Sequence, residues 1–111
     1  MKNMKARIWV DDIRPMPKEY NMHLRTVDEV ISAIEYMEAK QHYSIEVISL
    51  DHDAGDFAKY GGDYIKILDW LEEKQVVDGW QIDWLFDIHS QNPIGVEKME
   101  QIIRKNGWRM L

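Results

Sequence analysis

The chain has 111 residues, 45% apolar and 31% charged, which are the proportions of one globular domain and not of a disordered segment. A formal net charge of −6 argues against an extended footprint on duplex nucleic acid, because such a footprint needs many Lys and Arg side chains opposite phosphates. The absence of cysteine excludes disulfides and thiolate chemistry. The short apolar run at residues 8–10 fits neither a signal segment nor a membrane span, so we expect a single cytoplasmic domain over residues 1–111 without a membrane partner.

The first quarter of the chain predicts two strands joined by a loop. Residues 6–10 are rich in β-branched and aromatic side chains, which favours a strand. Pro15 and Pro17 exclude a regular helix from the segment that follows. Apolar and polar side chains alternate over residues 22–25, which predicts a short, half-exposed edge strand.

A helix and a buried strand come next. Thr26 and Glu29 have the spacing of a capping box, and the apolar residues behind them recur at helical spacing to about Lys40. Residues 46–50 form a mainly apolar run that predicts a buried strand. Residues 53–62 contain three glycines and predict a loop.

The second half of the chain repeats this alternation. Residues 63–75 predict a helix, and residues 82–88 alternate as in a strand with one apolar face. A third helix is expected to end near residues 106–107, where Gly is a common stop, and residues 108–110 can add a last strand. Strands that alternate with helices imply crossover connections and a largely parallel sheet, so the pattern predicts one α/β domain.

Three of the predicted strands end in ionisable or polar residues. In an open α/β sheet, ligands bind beyond the carboxyl ends of the strands, so these ends are the candidate site. The residues concerned are Asp11 and Asp12 after the first strand, Asp51, His52 and Asp53 after the third, and His89 and Ser90 after the fourth.

The acidic residues can hold a cation or simply begin turns. Asp is common in turns because its carboxylate bonds its own backbone. Carboxylates of Asp11, Asp12 and Asp51 that converge at one edge would repel each other, and Mg²⁺ or another divalent cation is one compensation. Arg14 is another.

The two histidines predict acid–base chemistry. His52 stands between Asp51 and Asp53, and His89 ends the next strand. Two histidines at adjacent strand ends are an arrangement that can open a phosphodiester, with one acting as acid and the other as base. The alternative is that each ring satisfies a turn.

The loop after the fourth strand offers further polar groups. Ser90 can bind phosphate, cap the loop or act as a nucleophile, and Asn92 can bind a ligand or start the turn with Pro93. Gly95 would leave free amides at the start of a helix, where phosphates bind, although every helix has such amides.

The acidic residues, with Ser90, resemble the characteristic positions of a response-regulator receiver domain. The resemblance implies magnesium at Asp11, Asp12 and Asp51, phosphorylation of Asp51, and Ser90 as the hydroxyl residue. The chain departs from receivers in its Pro-containing loop in place of the first helix, in its two histidines, and in having no Lys after a fifth strand.

A more specific resemblance is to the cyclic-phosphate processing receiver domain. It is carried by WVDDIRPMP at residues 9–17, SLDHD at residues 49–53 and HSQNPIG at residues 89–95. The resemblance implies a flavodoxin-like, receiver-like three-layer sandwich with a mostly parallel sheet of four or five strands and a degenerate first helix. It also implies activity on cyclic phosphates of nucleotides or RNA ends.

The favoured hypothesis is hydrolysis of a cyclic phosphate on a small nucleotide or RNA end. The alternatives are a non-catalytic receiver-like module that binds a nucleotide or a protein, and a magnesium-dependent phosphoacceptor that uses Asp51. The sequence identifies no protein partner, although Trp80 and Trp108 are candidates for exposed side chains at an interface. In the favoured hypothesis His52 and His89 are acid and base, Asp11, Asp51 and Asp53 orient them or hold a metal, and Arg14, Ser90, Asn92 and Gly95 hold the phosphate.

Overall fold

The computed structural model describes residues 4–111, which form one parallel sheet and three α-helices. The strand order is β2-β1-β3-β4-β5, and all four pairings are parallel. The receiver-like α/β class expected from the sequence is confirmed. The elements are β1 (Met4–Val10), β2 (Met22–Leu24), α1 (Val27–Lys40), β3 (Tyr43–Leu50), a 3₁₀ helix (Gly55–Lys59), α2 (Ile65–Asp78), β4 (Leu85–Ile88), α3 (Pro93–Lys105) and β5 (Arg109–Met110).

The three helices pack on the same face of the sheet. Each crossover, β2-α1-β3, β3-α2-β4 and β4-α3-β5, moves in the same direction along the sheet, and right-handed connections then place all three helices on one side. Their buried side chains belong to one core with the strands. The core includes Ile8, Val10, Ile48, Leu50 and Phe86 from the sheet, Val30 and Ile34 from α1, Leu68 and Leu71 from α2, and Met99 and Ile103 from α3.

The opposite face is covered by the loop of residues 11–21. A second, smaller core forms there around Trp9, Tyr20 and Val47, with Met16 and Leu85 packed against it. The rings of Trp9 and Tyr20 lie 5.3 Å apart, centroid to centroid. The loop therefore takes the place of the first receiver helix, which is the degenerate helix that the sequence predicted.

Several element bounds differ from those predicted. β3 begins at Tyr43 instead of residue 46, because its first residues pair with the start of β1, Met4 with Tyr43. α2 continues to Asp78, where Gly79 ends it in a left-handed conformation at φ 72°. β4 begins only at Leu85, which pairs with Val47. The predicted loop of residues 53–62 contains the 3₁₀ helix.

The expected exposure of Trp108 was wrong. The side chain is buried, stacks on Phe86 with ring centroids 5.3 Å apart, and donates a hydrogen bond to Gln75. The indole therefore joins the core at the β5 edge, through Gln75 of α2 and Phe86 of β4. Within residues 4–111, no helix combines the length and the apolar character needed to cross a bilayer.

Candidate active site

The candidate active site lies where β1, β3 and β4 end. The last residues of these strands are in register, Val10 with Leu50 and Leu50 with Ile88. The ladder continues for one more step, because the amide of Asp51 donates to the Val10 carbonyl and the amide of His89 donates to the Leu50 carbonyl, both at 3.0 Å. Parallel pairing thus brings together the three polar segments that the sequence singled out.

Asp11 is fully buried and uses both carboxylate oxygens. Its Oδ1 accepts hydrogen bonds from the amides of Ile13 (2.9 Å) and Arg14 (2.7 Å), and its Oδ2 lies 2.8 Å from Nε2 of His89. Burial by itself would raise the pKa of Asp11, but these hydrogen bonds outweigh it and lower the pKa below the ordinary aspartate value. Asp11 therefore begins a turn and anchors the site at the same time.

The carboxylates of Asp11, Asp12 and Asp51 converge. One oxygen from each lies within 4.8 Å of the other two. The pKa of Asp12 is raised, mainly by burial and then by the charges of Asp11 and Asp51. Such a set of hard oxygen ligands fits a divalent cation, as in receiver domains.

Gly55 keeps the loop close to this cluster. Its φ is +55°, and a Cβ at this position would lie 2.4 Å from Oδ2 of Asp12. Glycine therefore meets both demands, the left-handed conformation and the close approach.

His52 forms a pair with Asp53 in front of α3. Its Nδ1 lies 2.7 Å from Oδ1 of Asp53, and its amide donates to Oδ1 of Asp51 at 2.8 Å. The ring packs directly on Gly95, where a Cβ would lie 2.4 Å from Cγ of His52. Because the Asp53 carboxylate can only accept in this hydrogen bond, Nδ1 is the nitrogen that carries a proton. Nε2 has no hydrogen-bond partner among residues 4–111.

His89 is enclosed instead. Its ring stacks on Trp9 at 3.7 Å, with an interplanar angle of 7°. Nε2 faces Asp11, and Nδ1 lies 2.7 Å from Oγ of Ser49, which donates its own proton to Asp87 at 2.7 Å. Burial lowers the pKa of His89, while the Asp11 carboxylate acts in the opposite direction. Both ring nitrogens are thus occupied by protein groups.

The remaining predicted residues hold the loop between β4 and α3. Arg14 donates from Nη1 to the carbonyl of His89 at 2.6 Å. Oγ of Ser90 accepts the amide of Asn92 at 3.1 Å, and Oδ1 of Asn92 accepts the amide of Gly95 at 3.0 Å as the N-cap of α3. The side-chain Nδ2 of Asn92 lies 3.5 Å from both the Asp53 carboxylate and the His52 ring.

Sequence reasoning missed three residues that support the site. Ser49 and Asp87 are paired across β3 and β4, and Ser49 links Asp87 to the His89 ring through hydrogen bonds. His23 donates from Nε2 to the Asp11 carbonyl at 3.0 Å. A polar Ser49 inside an apolar strand was a usable signal. So was Asp87, which shares a strand face with His89 because side chains alternate along a strand.

The fold and this arrangement define the class, a receiver-like α/β domain with an acidic and histidine-bearing site at the carboxyl edge of its sheet. The sequence model of the cyclic-phosphate processing receiver domain matches residues 6–105. The chain belongs to that family, as the three motifs indicated. Comparison with curated proteins and with solved structures gives no significant match.

Proposed function

We propose that the chain hydrolyses a cyclic phosphate carried by a nucleotide or an RNA end. The observation that carries the proposal is the His52–Asp53 pair. Asp53 orients the ring through Nδ1, and Nε2 is left for a ligand at the edge where ligands of such sheets bind. A histidine held by a carboxylate in this way is a common acid–base device.

The reaction needs one proton transfer at His52. Nε2 takes a proton from a water molecule as the water oxygen bonds to phosphorus. One ribose oxygen–phosphorus bond of the ring breaks, and the departing oxygen takes a proton from solvent. The product is a phosphomonoester with a free ribose hydroxyl, and the relief of ring strain favours it.

We assign His89 a positioning role, in place of the acid–base role that the sequence suggested. Its two nitrogens are engaged by Asp11 and Ser49, so neither faces a substrate. The stacked ring links β4 to β1 and holds the Asp11 carboxylate. We likewise assign Ser90 and Asn92 to capping the loop beside His52 and not to binding the phosphate, because their side-chain oxygens accept backbone amides.

The anionic substrate requires positive charge beside the aspartates. Arg14 supplies one guanidinium, which uses Nη1 for the His89 carbonyl. A divalent cation held by Asp11, Asp12 and Asp51 would supply the rest, by neutralising the cluster and polarising phosphoryl oxygens.

The test is hydrolysis of a 2′,3′-cyclic nucleotide with Mg²⁺ or Mn²⁺ present. His52→Ala is expected to lower kcat by about 10²- to 10⁴-fold, the usual contribution of a general acid or base. His42→Ala is the matched control, because His42 lies before β3 at the opposite end of the sheet. Absence of turnover by the unaltered chain, or full activity in His52→Ala, would contradict the proposal.

The carboxylate cluster also favours a second candidate function, a phosphoacceptor. Asp51 directly follows β3 and shares the cluster with Asp11 and Asp12, as the phosphorylated residue of a receiver does. Incubation with acetyl phosphate and Mg²⁺ tests this candidate by intact mass. A stable gain of one phosphoryl group that disappears in Asp51→Asn would support it, and an unchanged mass would exclude it.

A further inference from the structure

A separate pocket of about 380 Å³ lies at the same carboxyl edge of the sheet as the acidic cluster, although none of its lining residues belongs to that cluster. Its volume falls within the range of about 300 to 1,000 Å³ that is typical of small-molecule sites. It is an open cleft between the residue that follows β2, the first turn of α1 and the segment of the 3₁₀ helix that ends at Tyr60. Its lining residues are Arg25, Thr26, Asp28, Glu29, Phe57 and Tyr60.

Two chain connections link this pocket to the candidate active site. The amide of Asp11 donates a hydrogen bond to the carbonyl of Leu24. Arg25, which lines the pocket, is the next residue along the chain after Leu24. Gly55 contacts Asp12, and Phe57 follows two residues later. The Cα atoms of Gly55 and Phe57 are therefore at most about 8 Å apart, since each step along the chain spans about 3.8 Å.

Apart from the Arg25 guanidinium, the polar groups of the pocket disfavour an anion. The amide of Asp28 donates to the Tyr60 carbonyl at 3.2 Å, and the amide of Glu29 donates to Thr26 at 2.9 Å. The Glu29 carboxylate accepts from the amides of Arg25 and Thr26. Within residues 4–111, the Asp28 carboxylate has no hydrogen-bond donor, so the pocket presents an acceptor and not a phosphate cradle.

We propose that this pocket binds the nucleobase of the substrate and that it prefers guanine. The inference rests on the proposed function, because the base would extend from the phosphate at the cluster. Phe57 is half-buried and Tyr60 is 47% exposed, with the Lys59 ammonium over its ring at 5.2 Å. Both aromatic rings line the pocket, where a base can stack on them, and Arg25 adds a guanidinium.

The preference for guanine follows from the Asp28 carboxylate. Guanine presents two adjacent N–H donors, N1–H and N2–H, which match the two oxygens of a carboxylate. Adenine and cytosine present an amino group beside a ring nitrogen that accepts, and a carboxylate repels that nitrogen. A neutral aromatic ring with paired donors is therefore the ligand that suits both the stacking faces and the acid.

The experiment compares kcat/KM for the 2′,3′-cyclic phosphates of guanosine, adenosine, cytidine and xanthosine. The unaltered chain is expected to favour guanosine by about 10- to 100-fold, the range for hydrogen bonds to a charged group. Asp28→Asn should lose this preference and favour xanthosine, because an amide and the xanthine edge each offer one donor and one acceptor. Asp56→Asn, on the neighbouring 3₁₀ helix but outside the pocket lining, is the control and should leave the preference unchanged.

The results separate this inference from the proposed function. Equal turnover of all four substrates would overturn the base pocket and leave the hydrolysis standing. If none of the four cyclic nucleotides is hydrolysed, binding of guanosine is measured by NMR instead. Shifts at Phe57 and Tyr60 that vanish in Asp28→Asn would support the pocket while the hydrolysis fails, and unchanged spectra would overturn the pocket as well.

Discussion

His52 stands against a glycine at the third position of α3, and this close contact sets where its ring points. An added Cβ at Gly95 would lie 2.4 Å from Cγ and 2.5 Å from Cδ2 of the ring. Asn92 fixes the same turn through the Gly95 amide. The position of the proposed acid–base residue therefore depends on a residue that has no side chain.

Gly95→Ala is expected to displace the His52 ring and to lower kcat by about 100-fold, since a misplacement near 1 Å can cost that much. Stability should change little, because Ala is about 1 kcal/mol better than Gly inside a helix and this gain offsets part of the clash. The measurements are kcat on a cyclic nucleotide, thermal unfolding and the ring resonances of His52.

Gly79→Ala serves as the control. Gly79 has a positive φ of 72°, but no atom lies within 4 Å of the place that an added methyl would take, so Ala there strains the backbone without touching the site. It should lower stability and preserve kcat. A Gly95→Ala variant with normal kcat and unshifted His52 resonances would refute the positional argument.

At the scale of elements, α1 shows how local chemistry sets the bounds of a helix. Oγ1 of Thr26 accepts the amide of Glu29 at 2.9 Å, and the Glu29 carboxylate accepts the amide of Thr26 at 3.0 Å. Gln41 ends the helix in a left-handed conformation at φ 58°. Both ends lie where the sequence predicted them, because capping depends on neighbours within four residues.

Thr26→Ala is expected to lower the free energy of unfolding by about 1 kcal/mol, within the usual range for the loss of an N-cap. Urea denaturation followed by circular dichroism measures it. Ser32→Ala, at an exposed position inside the same helix, should be neutral or slightly stabilising, because Ala has the higher helix propensity. Equal stability of the two variants would show that the cap contributes nothing.

For the molecule as a whole, the acidic cluster lowers stability while it builds a binding site. Three carboxylates within 4.8 Å of each other repel, and the raised pKa of Asp12 reflects its burial and the two neighbouring charges. The native state then holds the Asp12 proton to a higher pH than the unfolded chain does. Stability is therefore lost as the pH rises from the unfolded value near 3.8 through the native pKa.

Asp12→Asn is expected to raise the melting temperature at pH 7 without divalent cations, and the gain should vanish as the pH falls below about 4, where the carboxyl is protonated in both states. Mg²⁺ should raise the melting temperature of the unaltered chain and leave that of the variant almost unchanged. Asp69→Asn, an exposed position on α2, is the control. A variant that melts lower than the unaltered chain at pH 7 would contradict this account.

The sequence by itself determined the order and type of the main elements and the edge at which the polar segments meet. Periodicity marked α1, the capping box marked its start, and the paired prolines marked the loop that replaces the first receiver helix. These features are local, so short stretches of residues carry them. The motifs that contain Asp11, His52 and His89 also indicated the family that the comparison confirms.

Only the tertiary structure decided what each polar group meets. His52 and His89 end similar strands, yet one ring keeps a free nitrogen among the described residues while the other is enclosed by Trp9, Asp11 and Ser49. That difference depends on strand register and on the path of the loop over the sheet, and both join residues far apart in the chain. The pocket beside Asp28 arises in the same way, because packing of distant segments, and not local pattern, creates a cavity.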